Sequence, residues 1–377
     1  MKPRVICALL VFGICSPATY AREDPPPKSD ELDDFLTYYY LEKDTKSVAE
    51  WLKRLQDSKM LDKHESAVEP FAAFLSVIFL ENPSQVSRLA KSAAFTGKAK
   101  EAVQTALWLS GHAELIGEIF GETPAFAKSK SVSLKERPIK QAGDLDMMWG
   151  AFLASGDVAY VKRVIDVLDK RHELSGDENV DSATRKSAEW SLQSNMIQHE
   201  LVYRVVRQEA KTRSGAVKKQ LRSMVASAKR VDSLPEKNGG FSAMLVLVDE
   251  QGLAEFSTPS DTALRLDPKT TARRGDTITI KILFAGIELT EDLKADVQYD
   301  VKILNPDGKI YDETDLSDLR GLAGKIPTRF KVFDNQDVVK IHFEPEDKPG
   351  TYKITAKIRD KIADKTIPLK TEIELRE

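Results

Sequence analysis

Thiol chemistry is confined to one end of this chain. Its two cysteines, Cys7 and Cys15, fall within the first 15 of 377 residues. Those residues have the build of a secretory signal. Lys2 and Arg4 give a positive start, Val5 to Cys15 an apolar stretch, and Thr19-Tyr20-Ala21 a small-residue cleavage site. Removal of residues 1–21 leaves no thiol, which excludes a disulfide framework, a cysteine nucleophile and a thiolate metal site. Ile14 is too large a neighbour for lipid attachment at Cys15. Apolar runs of the roughly 20 residues needed to span a bilayer are also missing. The expectation is an exported protein, periplasmic or extracellular, with no integral membrane span in the mature chain.

Histidine is scarce. His64, His112, His172, His199 and His342 stand far apart, with no His-x-x-x-His or His-x-His pair to preassemble a zinc site. Each reads as structural or surface; His199 and Glu200 are expected on different faces of a helix, and His342 toward solvent. A hydrolase elbow needs Gly-x-Ser-x-Gly, and the nearest string, Gly240-Phe-Ser-Ala-Met244, lacks the second glycine. The phosphate-cradling glycine motifs are absent too. We therefore assign no catalytic, cofactor-binding or metal residues from the sequence.

Charge of one sign is not in excess. Lysine and arginine number 56 against 59 acidic residues, and loss of Lys2 and Arg4 leaves 54 against 59, a net charge of −5. That balance argues against nucleic acid as a partner. Two acidic clusters remain: Asp312, Glu313, Asp315 and Asp318 in an expected loop, and Glu344, Glu346 and Asp347 before a turn. Neither has the Asp-x-Asp-x-Asp-Gly calcium spacing, so both read as solvated loops.

What is present is a change of period. Composition is ordinary for a soluble globular chain, 41% hydrophobic and 31% charged, with length enough for two domains. Residues 22–29 are a polar, proline-rich leader, expected to be flexible. Residues 30–234 carry a helical pattern. Val48, Trp51, Leu52 and Leu55 form one stripe, and Phe71 to Leu80 is apolar on nearly every side, as in a buried helix. Leu107-Trp-Leu-Ser-Gly111 and Phe152-Leu-Ala-Ser-Gly156 each end an apolar helix before an amphipathic one, with Asp157 as an N-cap. Phe79-Leu-Glu-Asn-Pro83 is a third such junction. Irregular spacing points to an irregular solenoid-like bundle of helical hairpins rather than a strict repeat. Residues 123–144, polar and lysine-rich, read either as a binding loop or as a linker between two helical lobes. Residues 181–232 read as one or two long helices, with Trp190, Met196, Ile197, Leu201, Val205 and Val206 on the buried side. Arg204, Arg207, Lys211, Arg213, Lys218, Lys219, Arg222, Lys229 and Arg230 make that segment basic, which reads as a solvated face balanced by acid elsewhere.

After a linker at 235–240 the period becomes two. Strands are expected at 242–248, 253–256, 277–284, 297–304, 329–333, 338–343, 351–359 and 365–375, with turns at Asp249-Glu-Gln-Gly252 and Asn305-Pro-Asp-Gly308. Residues 241–377 thus read as an antiparallel immunoglobulin-like β-sandwich. Glu346 to Asp360 is its clearest marker. Pro349-Gly350 turns the chain, and Tyr352, Ile354, Ala356 and Ile358 alternate with polar residues. That arrangement resembles a tyrosine corner, in which the phenol hydroxyl bonds nearby backbone. Ile354 stands where antibody domains place their second cysteine, so the resemblance is to disulfide-free bacterial modules.

Three strings, Met148-Trp-Gly-Ala-Phe-Leu-Ala-Ser-Gly-Asp157, Ala188-Glu-Trp-Ser-Leu-Gln-Ser-Asn195 and Phe343-Glu-Pro-Glu-Asp-Lys-Pro-Gly-Thr-Tyr352, look like those of a group of uncharacterised secreted or periplasmic bacterial proteins. The resemblance implies a helical N-terminal domain, a C-terminal immunoglobulin-like sandwich and an exported address, with no established activity. The function expected is non-enzymatic binding of a protein or cell-envelope component through both domains. The alternatives are an envelope hydrolase using carboxylate catalysis with the sandwich as accessory, and an inhibitor or immunity-type protein for an envelope enzyme.

Overall fold

The computed structural model of the protein describes residues 29–228, 234–257 and 268–377. The expected signal, nearly all of the leader, and Lys229 and Arg230 lie outside the described residues. Helices fill the N-terminal part and sheets the C-terminal part, in two compact units, 29–228 and 234–377.

The first unit runs α1 (Ser29–Glu42), α2 (Thr45–Ser58), α3 (Met60–Lys63), α4 (Val68–Glu81), α5 (Val86–Ala90) and α6 (Gly97–Leu109). It continues with α7 (Glu114–Phe120), α8 (Ala142–Ser155), α9 (Val158–Asp166), α10 (Glu178–Gln198), α11 (Glu200–Thr212) and α12 (Gly215–Ser227). The stripe on α2 buries Val48, Leu52 and Leu55, while Trp51 stays half-buried and stacks on Phe35, ring centroids 4.8 Å apart. α4 is apolar all round because it is covered on several sides. Phe71 through Phe79 are buried, and the helix lies against both α6 and α8. Each such Leu, Ile or Phe contributes about 1.5–3 kcal/mol of apolar burial. Leu80, expected inside, is exposed.

Local signals hold at α8 and α9. The Asp144 carboxylate accepts from the Lys140 and Gln141 amides at 2.9 and 3.1 Å, satisfying free donors at the start of α8. Asp157 caps α9, accepting from the Ala159 amide at 2.9 Å. The 123–144 stretch is irregular apart from a single 3₁₀ turn, Ala125–Lys128, ahead of α8, which starts at Ala142. It is tied down at many points. Leu134 and Ile139 are buried, Trp108 Nε1 donates to the Ser129 carbonyl at 2.8 Å, and Arg163 donates to the Leu134 and Arg137 carbonyls.

Residues 178–227 form three helices rather than one or two. The break between α10 and α11 falls at His199, whose backbone is extended. His199 and Glu200 are therefore not neighbours within one helix, and both are fully buried. The second break, at Arg213-Ser214, lies where Arg213 pairs with Asp166 and Glu209, both at 2.7 Å. Trp190 and Ile197, expected inside, are exposed by 49% and 43%. The stripe that α10 buries is Thr184, Ala188, Ser191, Leu192, Asn195 and Met196, and position 190 stands beside it.

The second unit contains β1 (Glu236–Asn238), β2 (Phe241–Val248), α13 (Glu250–Ser257), β3 (Thr271–Arg273) and β4 (Thr277–Ala285). It ends with β5 (Lys294–Leu304), β6 (Ile310–Lys325), β7 (Val332–Asp334), β8 (Val339–His342), β9 (Gly350–Asp360) and β10 (Lys365–Arg376). One sheet has the order β1-β2-β4-β7, with β8 also on β4; the other is β3-β10-β9-β5-β6. Phe241, Ile280 and Phe284 of the first and Tyr299, Ile354 and Ile358 of the second belong to one buried cluster, so the two layers share a core. The alternation expected of β5 and β10 holds residue for residue, with Val297, Tyr299, Val301 and Ile303 inside, and Ile367, Leu369, Ile373 and Leu375 inside.

Four expectations fail here. Strand pairing is not wholly antiparallel, because β3 runs parallel to β10. The strand expected at 253–256 is helical: Asp249 Oδ1 accepts from the Gly252 amide at 2.9 Å, an N-cap that starts α13. The linker at 235–240 contains β1, folded back on β2. The first acidic cluster lies not in a loop but within β6, a strand exposed on both faces over most of its length.

The turn before β9 behaves as expected. The Tyr352 hydroxyl donates to the Lys348 carbonyl at 3.1 Å, and its ring is buried against Phe343 and Tyr311. Gly350 has φ +135°, a region closed to most side chains, and an added Cβ would also lie 3.0 Å from Pro306.

Candidate functional site

Within the helical unit, five helices and one short turn leave a cavity of about 180 Å³. Its floor is apolar and buried: Leu61, Phe71 and Phe74 face Trp149 and Leu153. Its edge includes Trp190 and Asp33, both exposed, so the cavity reaches the surface on that side. α1, α4, α8 and α10 supply most of the wall, and Met60 and Leu61 of α3 with Ser66 and Ala67 of the turn before α4 supply the rest.

Close helix contact shapes the floor. At Gly150 an added Cβ would stand 2.1 Å from the Pro70 carbonyl oxygen, so α8 and α4 approach as closely as they do only because the side chain is missing. That contact brings Trp149 and Leu153, on either side of it, up to Phe71 and Phe74 along the wall.

Two polar groups of the wall are buried with no hydrogen-bond partner: the Trp149 indole Nε1 and the Asn195 carbonyl Oδ1. The residues are 6% and 4% exposed. The Asn195 amide is oriented by its nitrogen, which donates to the Ser191 carbonyl at 2.9 Å, leaving the oxygen as an unused acceptor. A buried polar atom left unpaired costs about 1–3 kcal/mol, so a donor and an acceptor left unpaired in one wall call for a reason.

The sequence expectations are dispersed by the fold. The histidines do not converge. His64 is exposed, His112 sits 3.1 Å from Ser110 Oγ, and burial lowers the His172 pKa. His199 lies among Tyr38, Tyr40 and Phe152, its Nδ1 3.1 Å from the Tyr40 hydroxyl. Burial pushes that phenol well above its ordinary range. His342 is exposed, as expected, beside Thr277 Oγ1 at 3.0 Å.

Three carboxylates of the acidic clusters are engaged in structure. Asp315 pairs with Lys302 at 3.1 Å and Asp318 with Arg359 at 2.9 Å. Asp347 accepts from the Tyr311 hydroxyl at 2.6 Å and the Glu344 amide at 2.7 Å. Among the described residues no group of three or more histidine, aspartate or glutamate side chains could hold a metal ion. No described helix is long and apolar enough to cross a membrane. In the basic segment Arg204 pairs with Glu200 at 2.8 Å, whereas Arg207, Lys211, Lys219 and Arg222 are exposed.

The cavity itself is not foreseen by any sequence pattern. Two of the three strings that carry the family resemblance, 148–157 and 188–195, supply Trp149, Gly150, Leu153, Trp190 and Asn195 to its wall. The one local signal is the buried stripe of α10, which leaves Trp190 outside.

No protein-family model matches the chain, and no curated protein matches it. Among solved structures it is similar to a family 123 glycoside hydrolase from Clostridium perfringens, at 12% identity over 37% of this chain and 27% of that one, TM-score 0.23. It is similar to an immunoglobulin-like protein from Pseudomonas aeruginosa, at 14% identity over 39% of this chain and 95% of that one, TM-score 0.21. A DNA-bound alkylpurine DNA glycosylase from Pseudomonas fluorescens matches at 10% identity over 81% of this chain and 76% of that one, TM-score 0.21. The chain spans about a quarter of the hydrolase's length, and superpositions this loose carry no argument about activity.

Proposed function

We propose that this chain is an exported, non-enzymatic recognition protein. Its helical half, an irregular bundle of stacked hairpins, holds an apolar group of a protein or envelope partner in the cavity between α1, α4, α8 and α10. Its C-terminal half is an immunoglobulin-like sandwich that offers a second contact surface or a rigid spacer; that part of the reading rests on fold analogy. The observation that carries the proposal is the apolar cavity with Trp190 half exposed at its edge. Large aromatics are the commonest anchors of binding sites.

A hydrolase working through two buried carboxylates is the weaker reading. The carboxylates on the cavity wall are Asp33, which is exposed, and Asp146, which is half-buried. Asp360 has its pKa raised by burial, but it lies in the other unit and caps the turn after β9 by accepting from Ile362 and Ala363 amides. Affinity capture of the mature chain from envelope extract tests the proposal. A stable partner lost on filling the cavity with Ala67→Phe is expected; turnover of a small envelope substrate with no stable partner would contradict it.

A further inference from the structure

The recognition reading leaves open what enters the cavity, and the unpaired atoms of its wall bear on that. We propose that the site takes one aromatic side chain of a partner polypeptide together with a peptide group of that residue, a reading that rests on the recognition function above. In it the Trp149 indole N–H donates to the peptide carbonyl, and Asn195 Oδ1 accepts from the peptide N–H.

Size sets the first constraint. A cavity of about 180 Å³ is close to the roughly 150 Å³ that accommodates a benzene ring in an apolar protein interior. The rings of Phe71, Phe74, Trp149 and Trp190 line it, and offset or edge-on contacts with an aryl group suit such a wall.

Polarity sets the second. Two residues of the wall each carry a buried polar atom without a partner, a donor on Trp149 and an acceptor on Asn195. A secondary amide presents the complementary pair, a C=O acceptor and an N–H donor on opposite edges of one planar group. A fatty acyl ester or a carboxylate brings acceptors only and would leave Asn195 unanswered. Both atoms are closed to water in this structure, so the proposal requires each side chain to turn toward the cavity as the ligand enters, Asn195 exchanging its bond to the Ser191 carbonyl.

The test is a titration of the full chain with three probes: N-acetyl-phenylalanine N-methylamide, toluene and benzoate. Tryptophan fluorescence and the indole N–H resonances report binding. The amide is expected to bind roughly ten-fold more tightly than toluene, as two modest hydrogen bonds allow. It is expected to move one indole resonance that Trp149→Phe removes. Asn195→Leu, which keeps the bulk and removes one of the two hydrogen bonds, should lower the preference for the amide over toluene to roughly three-fold. Equal affinity for amide and toluene in the unaltered protein overturns the proposal, as does preference for benzoate or a failure of the amide to saturate. If the amide fails while an envelope partner is still captured and still lost in Ala67→Phe, the ligand class falls and the recognition function stands. If both fail, both fall.

Discussion

The hydroxyl of Tyr352 donates to the carbonyl oxygen of Lys348, 3.1 Å away and four residues earlier in the chain. That bond closes the turn through Gly350 that starts β9, in a unit whose described residues contain no cysteine. Tyr352→Phe keeps the ring against Phe343 and removes only the bond. It is expected to lower stability by about 1 kcal/mol, read from the calorimetric unfolding of the full chain. An unchanged transition would remove the corner from the account of this fold.

Gly150 makes a sharper case. With only 2.1 Å between an added Cβ and the Pro70 carbonyl oxygen, Gly150→Ala must push α8 off α4. A loss of about 1–3 kcal/mol is expected, together with a changed cavity. Gly143→Ala on the same helix is the control. Its Cβ would meet Glu69 Oε2 at 3.6 Å, an ordinary contact, so the helix should gain up to about 1 kcal/mol. Chemical denaturation of the two variants should move in opposite directions.

In the sheet unit, Arg359 on β9 bridges Asp300 on β5 and Asp318 on β6, with Nη2 at 2.7 and 2.9 Å from their carboxylates. The Arg359 hydrogen bond holds the Asp300 carboxyl below its usual value of 3.8. A depressed folded-state pKa gives stability that is present above the unfolded value and lost as pH falls through the folded one. Because Asp300 is 31% exposed, the contribution is below about 1 kcal/mol. The stability difference between the unaltered protein and Asp300→Asn should therefore be positive near neutral pH and shrink as pH falls below the ordinary carboxyl value of 3.8 and through the lower folded-state one. A difference that grows in acid would contradict the assignment.

Much of this architecture is legible in the residues because it is written locally. The stripe of α2, the all-apolar α4, the Gly156-Asp157 junction and the alternation along β5, β9 and β10 each lie within one short segment. β6 is hidden because Asp312, Glu313, Asp315 and Asp318 lie on a strand exposed on both sides, so no apolar alternation marks it. β3 is hidden because three residues, Thr271–Arg273, become a strand only by pairing parallel with β10, about a hundred positions away. The helix at 250–257 reads as a turn and a strand because Asp249-Glu-Gln-Gly252 fits turn chemistry as well as it fits a helix cap. The cavity is the least legible feature. Its walls come from residues 33–37, 60–74, 146–153 and 190–195, and no local pattern records that these meet.

Trp190 separates stability from recognition. It is exposed by 49%, on a helix that alanine favours, so Trp190→Ala should change stability by no more than about 0.5 kcal/mol. Partner binding should fall sharply in the same variant. Matched losses of stability and binding would instead mark the ring as part of the core.

The most direct test of the recognition site is photo-crosslinking in intact cells from a reactive amino acid placed at position 190. A single adduct is expected with one envelope partner, absent when Ala67→Phe fills the cavity and absent when the reactive group is moved to Val332 in the sheet unit. No adduct at 190, or one that persists unchanged in Ala67→Phe, would contradict the claim that this cavity is where the protein meets its partner.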